Sequence, residues 1–185
     1  MTVRDIIKLV CELSGEKEIA VKLAENKTLT TAQSDKVDLM TKCFNLVNQE
    51  IAGEYLPFMT TENIDVSNSI LSFSNLSKTV VNIYAVKGRF NMNLKFKTYA
   101  NYIEIFGNAK KIVYSYLPED LTLDSEFELV NGLSARIYAY GVTSEFLLID
   151  GLGTEAEIWE ERFKESLFVL SRRRGEHLMP KRSWL

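Results

Sequence analysis

The hydrophobic pattern changes period twice along this chain, from helical to alternating and back, and that double change limits the possible folds more than any other feature. In residues 3–14, Ile6, Ile7, Val10 and Leu13 share one side at helical spacing, with Thr2 placed to cap the start and Gly15 to end it. A weaker helical stretch covers residues 18–25, and residues 28–34 are polar and rich in capping types. A long helix is expected over residues 33–55, because Val37, Met40, Phe44, Val47 and Ile51 recur at spacings of 3, 4, 3 and 4. That stripe is narrow, so Asp35, Lys36, Asp38, Lys42, Asn48 and Glu50 are expected in water. Gly53 and Pro57 then close the helix.

From about Thr60 to Leu117 the pattern alternates. Residues 80–86, 94–99, 102–106 and 111–116 read as strands, with Lys87-Gly88-Arg89 as a turn and Gly107-Asn108 as a hairpin signal. Lys95 and Lys97 are placed to pair with Glu104 across an exposed face. Residues 63–77, rich in Ser and Asn, read as strand or loop. The helical period returns after Leu117-Pro118, with Asp124 or Ser125 as cap and Phe127, Val130, Ser134, Ile137, Gly141 and Leu148 on one face up to about Ile149. Asp150-Gly151-Leu152-Gly153 breaks the run, and Thr154-Glu155-Ala156-Glu157 forms a capping box for a last helix. Its stripe is Ala156, Trp159, Phe163, Leu167 and Leu170. The short break makes the two helices an antiparallel pair that folds back on the amino-terminal helices.

The expected fold class is therefore α+β: a helical bundle of two N-terminal helices and a C-terminal helix hairpin, with an inserted antiparallel β meander and a flexible basic C-terminal tail. The domain reading is one domain over residues 1–170, made of helices in 1–58, the β insertion in 60–117 and the helix pair in 124–170. Residues 171–185 form an extended docking tail with no core periodicity.

Charge separates that tail from the rest. From Arg162 onward there are seven basic and two acidic residues, a net +5, which leaves −8 on the preceding 161. An acidic body with a basic end calls for a negative partner, either nucleic acid or an acidic protein surface. No apolar run reaches the roughly 20 residues that span a bilayer, and the start of the chain lacks the basic and apolar regions of a signal peptide. The expectation is a soluble chain without membrane contact. Cys11 and Cys43 sit in apolar helical surroundings and read as buried, reduced thiols.

Chemistry is sparse. The only histidine, His177, lies in the tail, remote in sequence from both cysteines, so neither a zinc site nor a His-activated nucleophile is expected. Gly151-Leu152-Gly153 lacks the third glycine of a dinucleotide fingerprint and follows a helix instead of a strand. Glu155, Glu157, Glu160 and Glu161 complement a helix dipole. The expectation is no enzyme, no cofactor and no metal. The tail is different: Arg172, Arg173, Arg174, Leu178, Lys181, Arg182 and Trp184 combine cations with apolar anchors, the composition of a docking peptide.

The layout resembles the head–tail connector (adaptor) proteins of tailed bacteriophages, of the tail tubular protein A type. Residues 127–142 are similar to that family's long helix with its Leu-x-Ala-Arg core, here Leu133-Ser134-Ala135-Arg136. Residues 156–167 resemble its last helix, Met179-Pro180-Lys181-Arg182-Ser183-Trp184 its basic and aromatic tail, and Tyr116-Leu117-Pro118 the approach to the helix pair. The resemblance implies a structural virion protein at the head–tail junction, present in host cytoplasm during assembly. About twelve copies would close into a ring under the portal protein and meet the next tail component, while DNA passes through the lumen without specific binding. It also implies that the basic tail docks on the portal. Two rivals follow from the residues alone. One is a nucleic-acid-binding protein using the tail with Lys87, Arg89, Lys95 and Lys97. The other is a scaffold or chaperone that binds a partner helix along the stripe from Val37 to Ile51.

Overall fold

Thr2 begins the first helix as its spacing suggests. In the computed structural model, which describes residues 1–67, 69–130 and 132–175, α1 spans Val3–Leu13. The Asp5 carboxylate accepts hydrogen bonds from the Thr2 backbone N–H at 3.1 Å and the Thr2 hydroxyl at 2.9 Å. Helix α2 spans Lys17–Ala24 and α3 spans Thr31–Glu50, after which the chain widens into a π turn at Ile51–Tyr55. Two helices follow late in the chain: α4, Ala135–Ile149, and α5, Gly153–Gly175. Between the π turn and α4 in sequence lie six strands: β1 Phe58–Ser67, β2 Ile70–Ser72, β3 Val80–Lys87, β4 Asn93–Thr98, β5 Tyr102–Phe106 and β6 Asn108–Tyr116. The chain divides into two compact units, residues 1–48 with 120 onward, and residues 49–119.

The helical unit is built around α4. Ten of its residues are buried, including Tyr138, Ala139, Gly141 and Val142, so it is surrounded and not merely one-sided. Phe44 of α3 packs against Tyr138 and Phe127 with ring centroids 5.5 and 5.1 Å away. Asn48, expected in water, is buried instead, and its Oδ1 accepts a hydrogen bond from the Tyr138 hydroxyl at 3.1 Å. The stripe Val37, Met40, Phe44 and Val47 is buried throughout, as its spacing requires. Helix α5 packs antiparallel on α4 through Ala156, Phe163 and Leu167, and the Ser144 hydroxyl donates to the Ala156 carbonyl at 3.0 Å.

Helix α4 starts later than the pattern predicts. The helix expected from Asp124 or Ser125 begins only at Ala135, with Ser134 extended before it and Gly132 at φ +92°. The backbone of the preceding segment is committed elsewhere. The N–H groups of Val3 and Arg4 in the first turn of α1 donate to the carbonyls of Ser125 and Leu123, and Phe127 N–H donates to the Met1 carbonyl. The Asn45 side chain grips both backbone groups of Leu121, at 2.9 and 3.0 Å. A segment that satisfies the orphan donors of another helix cannot close its own helical ladder. Half of the segment likened to the connector family's long helix is therefore not helical. The start of α5 also moves, to Gly153, which places Thr154 inside the helix rather than at its cap.

The sheet corrects the expected fold class. It is not a small meander inserted in a two-helix start: three helices precede it, and six antiparallel strands run in the order β1-β6-β3-β4-β5-β2, curled into a half-barrel. The architecture is mixed α/β with a sheet that is a compact unit in its own right. Its core includes Leu71, Val86, Ile103, Ile105, Ile112 and Tyr114. Residues 63–77, read as strand or loop, supply the end of β1, all of β2 and a short 3₁₀ turn. The hairpin expected at Gly107-Asn108 does not form. A single residue, Gly107 at φ +128°, separates β5 from β6, too few for a hairpin loop, so β6 leaves β5 and pairs with β3 and β1. Strand β4 changes partner along its length, Asn93 and Leu94 pairing with β3 and residues 95–98 with β5. The register sets Lys97 opposite Glu104, as expected, but Lys95 opposite Phe106, and among the described residues neither lysine forms an ion pair with Glu104.

Glu62 ties the sheet unit together. Its Oε2 accepts from the Tyr114 hydroxyl at 2.8 Å and from the N–H and hydroxyl of Ser77 at 3.1 and 2.9 Å. Partial burial pushes this carboxyl upward, but the three donors outweigh it and hold the group below the ordinary glutamate range. Because the folded value is depressed, the contribution is present above the ordinary range and fades as pH falls through the lowered value. Glu62→Ala should therefore cost about 1–2 kcal/mol at neutral pH. The loss should shrink in acid; an equal loss at pH 7 and pH 3 in parallel urea titrations would refute the assignment.

Candidate functional site

Each turn of α5 is placed by the stripe that buries Ala156, Phe163 and Leu167, with Trp159 and Leu170 half-buried beside it. That stripe leaves the opposite side of the helix to solvent. Near the carboxy end this side is not polar: Phe168 and Val169 are about half exposed. The Arg172 guanidinium lies over the Phe168 ring, 4.8 Å from its centroid, and Arg172 is itself exposed. Between two and three turns upstream, Arg162 stacks in the same way on Trp159 at 4.8 Å.

The extended docking tail expected from residue 171 is thus helical over its first five residues. The reason is electrostatic and local. The Arg172 cation near the carboxy end complements the helix dipole, and the Ser171 hydroxyl donates to the Phe168 carbonyl at 2.9 Å. Of the predicted docking residues, Arg172 sits on the exposed side of α5, and the backbone of Arg173 and Arg174 continues the helix. Leu178, Lys181, Arg182 and Trp184 lie outside the described residues. Phe168 and Val169 were not singled out by pattern, although a signal was present. Four apolar residues stand in a row from Leu167 to Leu170, and a helix buried on one side cannot cover all four.

Among the described residues, both thiols are buried and the cations of a surface cavity are paired. Burial pushes the Cys11 thiol up to about 12 and the Cys43 thiol up to about 11, far from a reactive thiolate. A shallow cavity of about 350 Å³ is lined by Arg4, Leu23, Asn26, Lys27, Leu29, Ser34 and Leu123. Its two cations are already held, Arg4 by Asp124 and Lys27 by Glu25, each at 2.6 Å. Among the described residues no three His, Cys, Asp or Glu side chains gather into a group that could hold a metal ion, and no helix is long and apolar enough to cross a membrane. The arrangement at the end of α5 is suited to recognition, with an apolar pair for a pocket and the Arg172 guanidinium for a carboxylate. Set against known proteins, the chain matches no family model and no curated sequence.

Proposed function

We propose that this chain is a head–tail connector of a tailed bacteriophage, a structural protein that docks under the portal by the end of α5 and the segment that follows it. The observation that carries the reading is the exposed Phe168-Val169 pair, with Arg172 stacked on the Phe168 ring, just before the basic segment. Leu167 and Leu170 hold these last turns to the core, while Phe168, Val169 and Arg172 gain nothing from it and would gain on a partner with apolar pockets and carboxylates. The charge distribution also supports the reading. A body of net −8 suits a ring through which DNA slides, while the +5 end seeks an acidic protein. On this reading several copies close into a ring, the sheet unit meets the next tail component, and the protein is found at the head–tail junction and, during assembly, in host cytoplasm.

The test is capture on assembled portal rings encoded in the same genome. Full-length chain should bind, a version ending at Leu170 should lose binding by about a hundredfold, and Phe168→Ala with Val169→Ala should lose about tenfold or more. Binding should weaken as salt rises, because guanidinium–carboxylate contacts at a rim are screened. Undiminished capture of the truncated chain would remove the docking assignment. Absence of capture by any form, together with salt-sensitive DNA binding that disappears on truncation, would replace the connector by the nucleic-acid-binding alternative.

A further inference from the structure

Strands β3 and β4 are joined by a tight turn whose central residues are Phe90 and Asn91, at φ +56° and +61°. It is closed by the Met92 N–H donating to the Arg89 carbonyl at 3.3 Å and the Gly88 N–H donating to the Met92 carbonyl at 2.8 Å. Two consecutive left-handed residues are what a two-residue hairpin turn demands, and Asn or Gly normally supply both. A phenylalanine in that conformation is an outlier. It also receives nothing in return from its own chain, since Phe90 is 96% exposed. Met92 beside it is exposed as well.

The charges near this turn are equally uncompensated. Lys87 at the end of β3 stands directly opposite Lys111 of β6, and like charges in that position destabilise a sheet. Among the described residues no ion pair is made by Lys87, Lys111 or Arg89. Strain, facing like charges and a bare aromatic thus collect at one end of the sheet unit, a combination that a bound partner relieves.

A matching surface exists on the same chain. At the turn between α4 and α5, Leu148, Ile149 and Leu152 are exposed within five residues, held out by Gly151 at φ +82° and by the Leu152 N–H donating to the Leu147 carbonyl. Asp150 and Glu155, both exposed, flank them. This is an apolar centre with carboxylates at its rim, the complement of an apolar tip with ammonium and guanidinium groups at its rim. We propose that the β3–β4 hairpin tip of one copy docks on the α4–α5 turn of a second copy. Such a contact joins two different surfaces, so it propagates head to tail and ends in a closed ring or a filament according to the rotation per copy. The inference deepens the connector reading and rests on it for closure into a ring.

Charge exchange tests the contact. One variant carries Lys87→Glu with Lys111→Glu, which replaces one like-charge pair by another and so spares the sheet. A second carries Asp150→Lys with Glu155→Lys. In sedimentation velocity over a concentration series, each variant alone should self-associate about tenfold more weakly than the unaltered chain. An equimolar mixture should associate again, because the reversed tip meets the reversed turn; a misfolded variant could not be rescued by mixing. Phe90→Asn should weaken association about tenfold while leaving the chain as heat-stable or more so, since asparagine suits the turn. The proposal is overturned if the unaltered chain stays monomeric up to about 200 μM, if mixing restores nothing, or if Phe90→Asn leaves association unchanged. Portal capture separates the two readings. Capture without self-association removes only this contact, and rescued self-association without capture removes only the portal assignment.

Discussion

Phe44→Ala should lower the stability of the helical unit by about 3–5 kcal/mol, the range for deleting a fully buried aromatic ring. The side chain has no exposure, and it touches both Tyr138 of α4 and Phe127 of the segment that caps α1. Those rings in turn contact each other at 5.6 Å, so the three form a closed cluster. Removing one member leaves a cavity whose walls come from three parts of the chain and cannot all collapse together. The neighbouring Tyr138 hydroxyl, whose ionisation burial already opposes, is held to Asn48, and a shifted ring would leave that buried amide without its partner. Trp159 lies within this unit against Tyr140 and reports its unfolding by fluorescence. In urea titrations the midpoint should fall sharply for Phe44→Ala, whereas Leu46→Ala, an exposed neighbour on the same helix, should stay within about 0.5 kcal/mol. A loss below about 1 kcal/mol for Phe44→Ala would mean that the cluster is not a packed core.

What the sequence made legible follows the range of the interactions involved. Helix α1 with its Thr2 start, α2, the buried stripe of α3 and the stripe of α5 were all readable, because spacings of three and four and a capping pair are local. The late start of α4 was not. Apolar residues at 127 and 130 continue the helical period, but hydrogen bonds to residues 1–4 claim that backbone, and nothing within residues 121–134 announces a partner more than a hundred positions away. Strand order was hidden for the same reason. Alternation located β3, β4, β5 and β6, whereas the pairing of β1 with β6 and of β2 with β5 depends on contacts of the whole sheet. At the candidate docking surface, composition pointed to the arginines. The apolar pair beside them was implied by the run Leu167 to Leu170, of which the predicted α5 stripe claims only the two ends.

Substitutions at Gly141 should separate helix propensity from packing, and packing should win. This glycine lies in the middle of α4, where alanine would ordinarily add about 1 kcal/mol of stability. Here a Cβ would stand 2.9 Å from Val47 Cγ1 of α3 and 3.0 and 3.1 Å from two ring carbons of Phe163 of α5. Both neighbours are buried, one is stiff at χ1 and the other is an aromatic ring held between helices, so neither can turn aside into solvent. The close approach of three helices at this point is therefore set by the absence of one carbon. Gly141→Ala should cost about 1–2 kcal/mol net of its propensity gain, and Gly141→Val about 3 kcal/mol or more. Pairing Gly141→Ala with Val47→Ala should recover part of the loss, because the second change removes the nearest clashing carbon. Thermal melts of the two single variants and the pair decide the matter. If Gly141→Ala raises the melting temperature, propensity governs and α4 is not pressed between its neighbours as closely as these distances state; if the pair is simply additive, the clash lies with Phe163 alone.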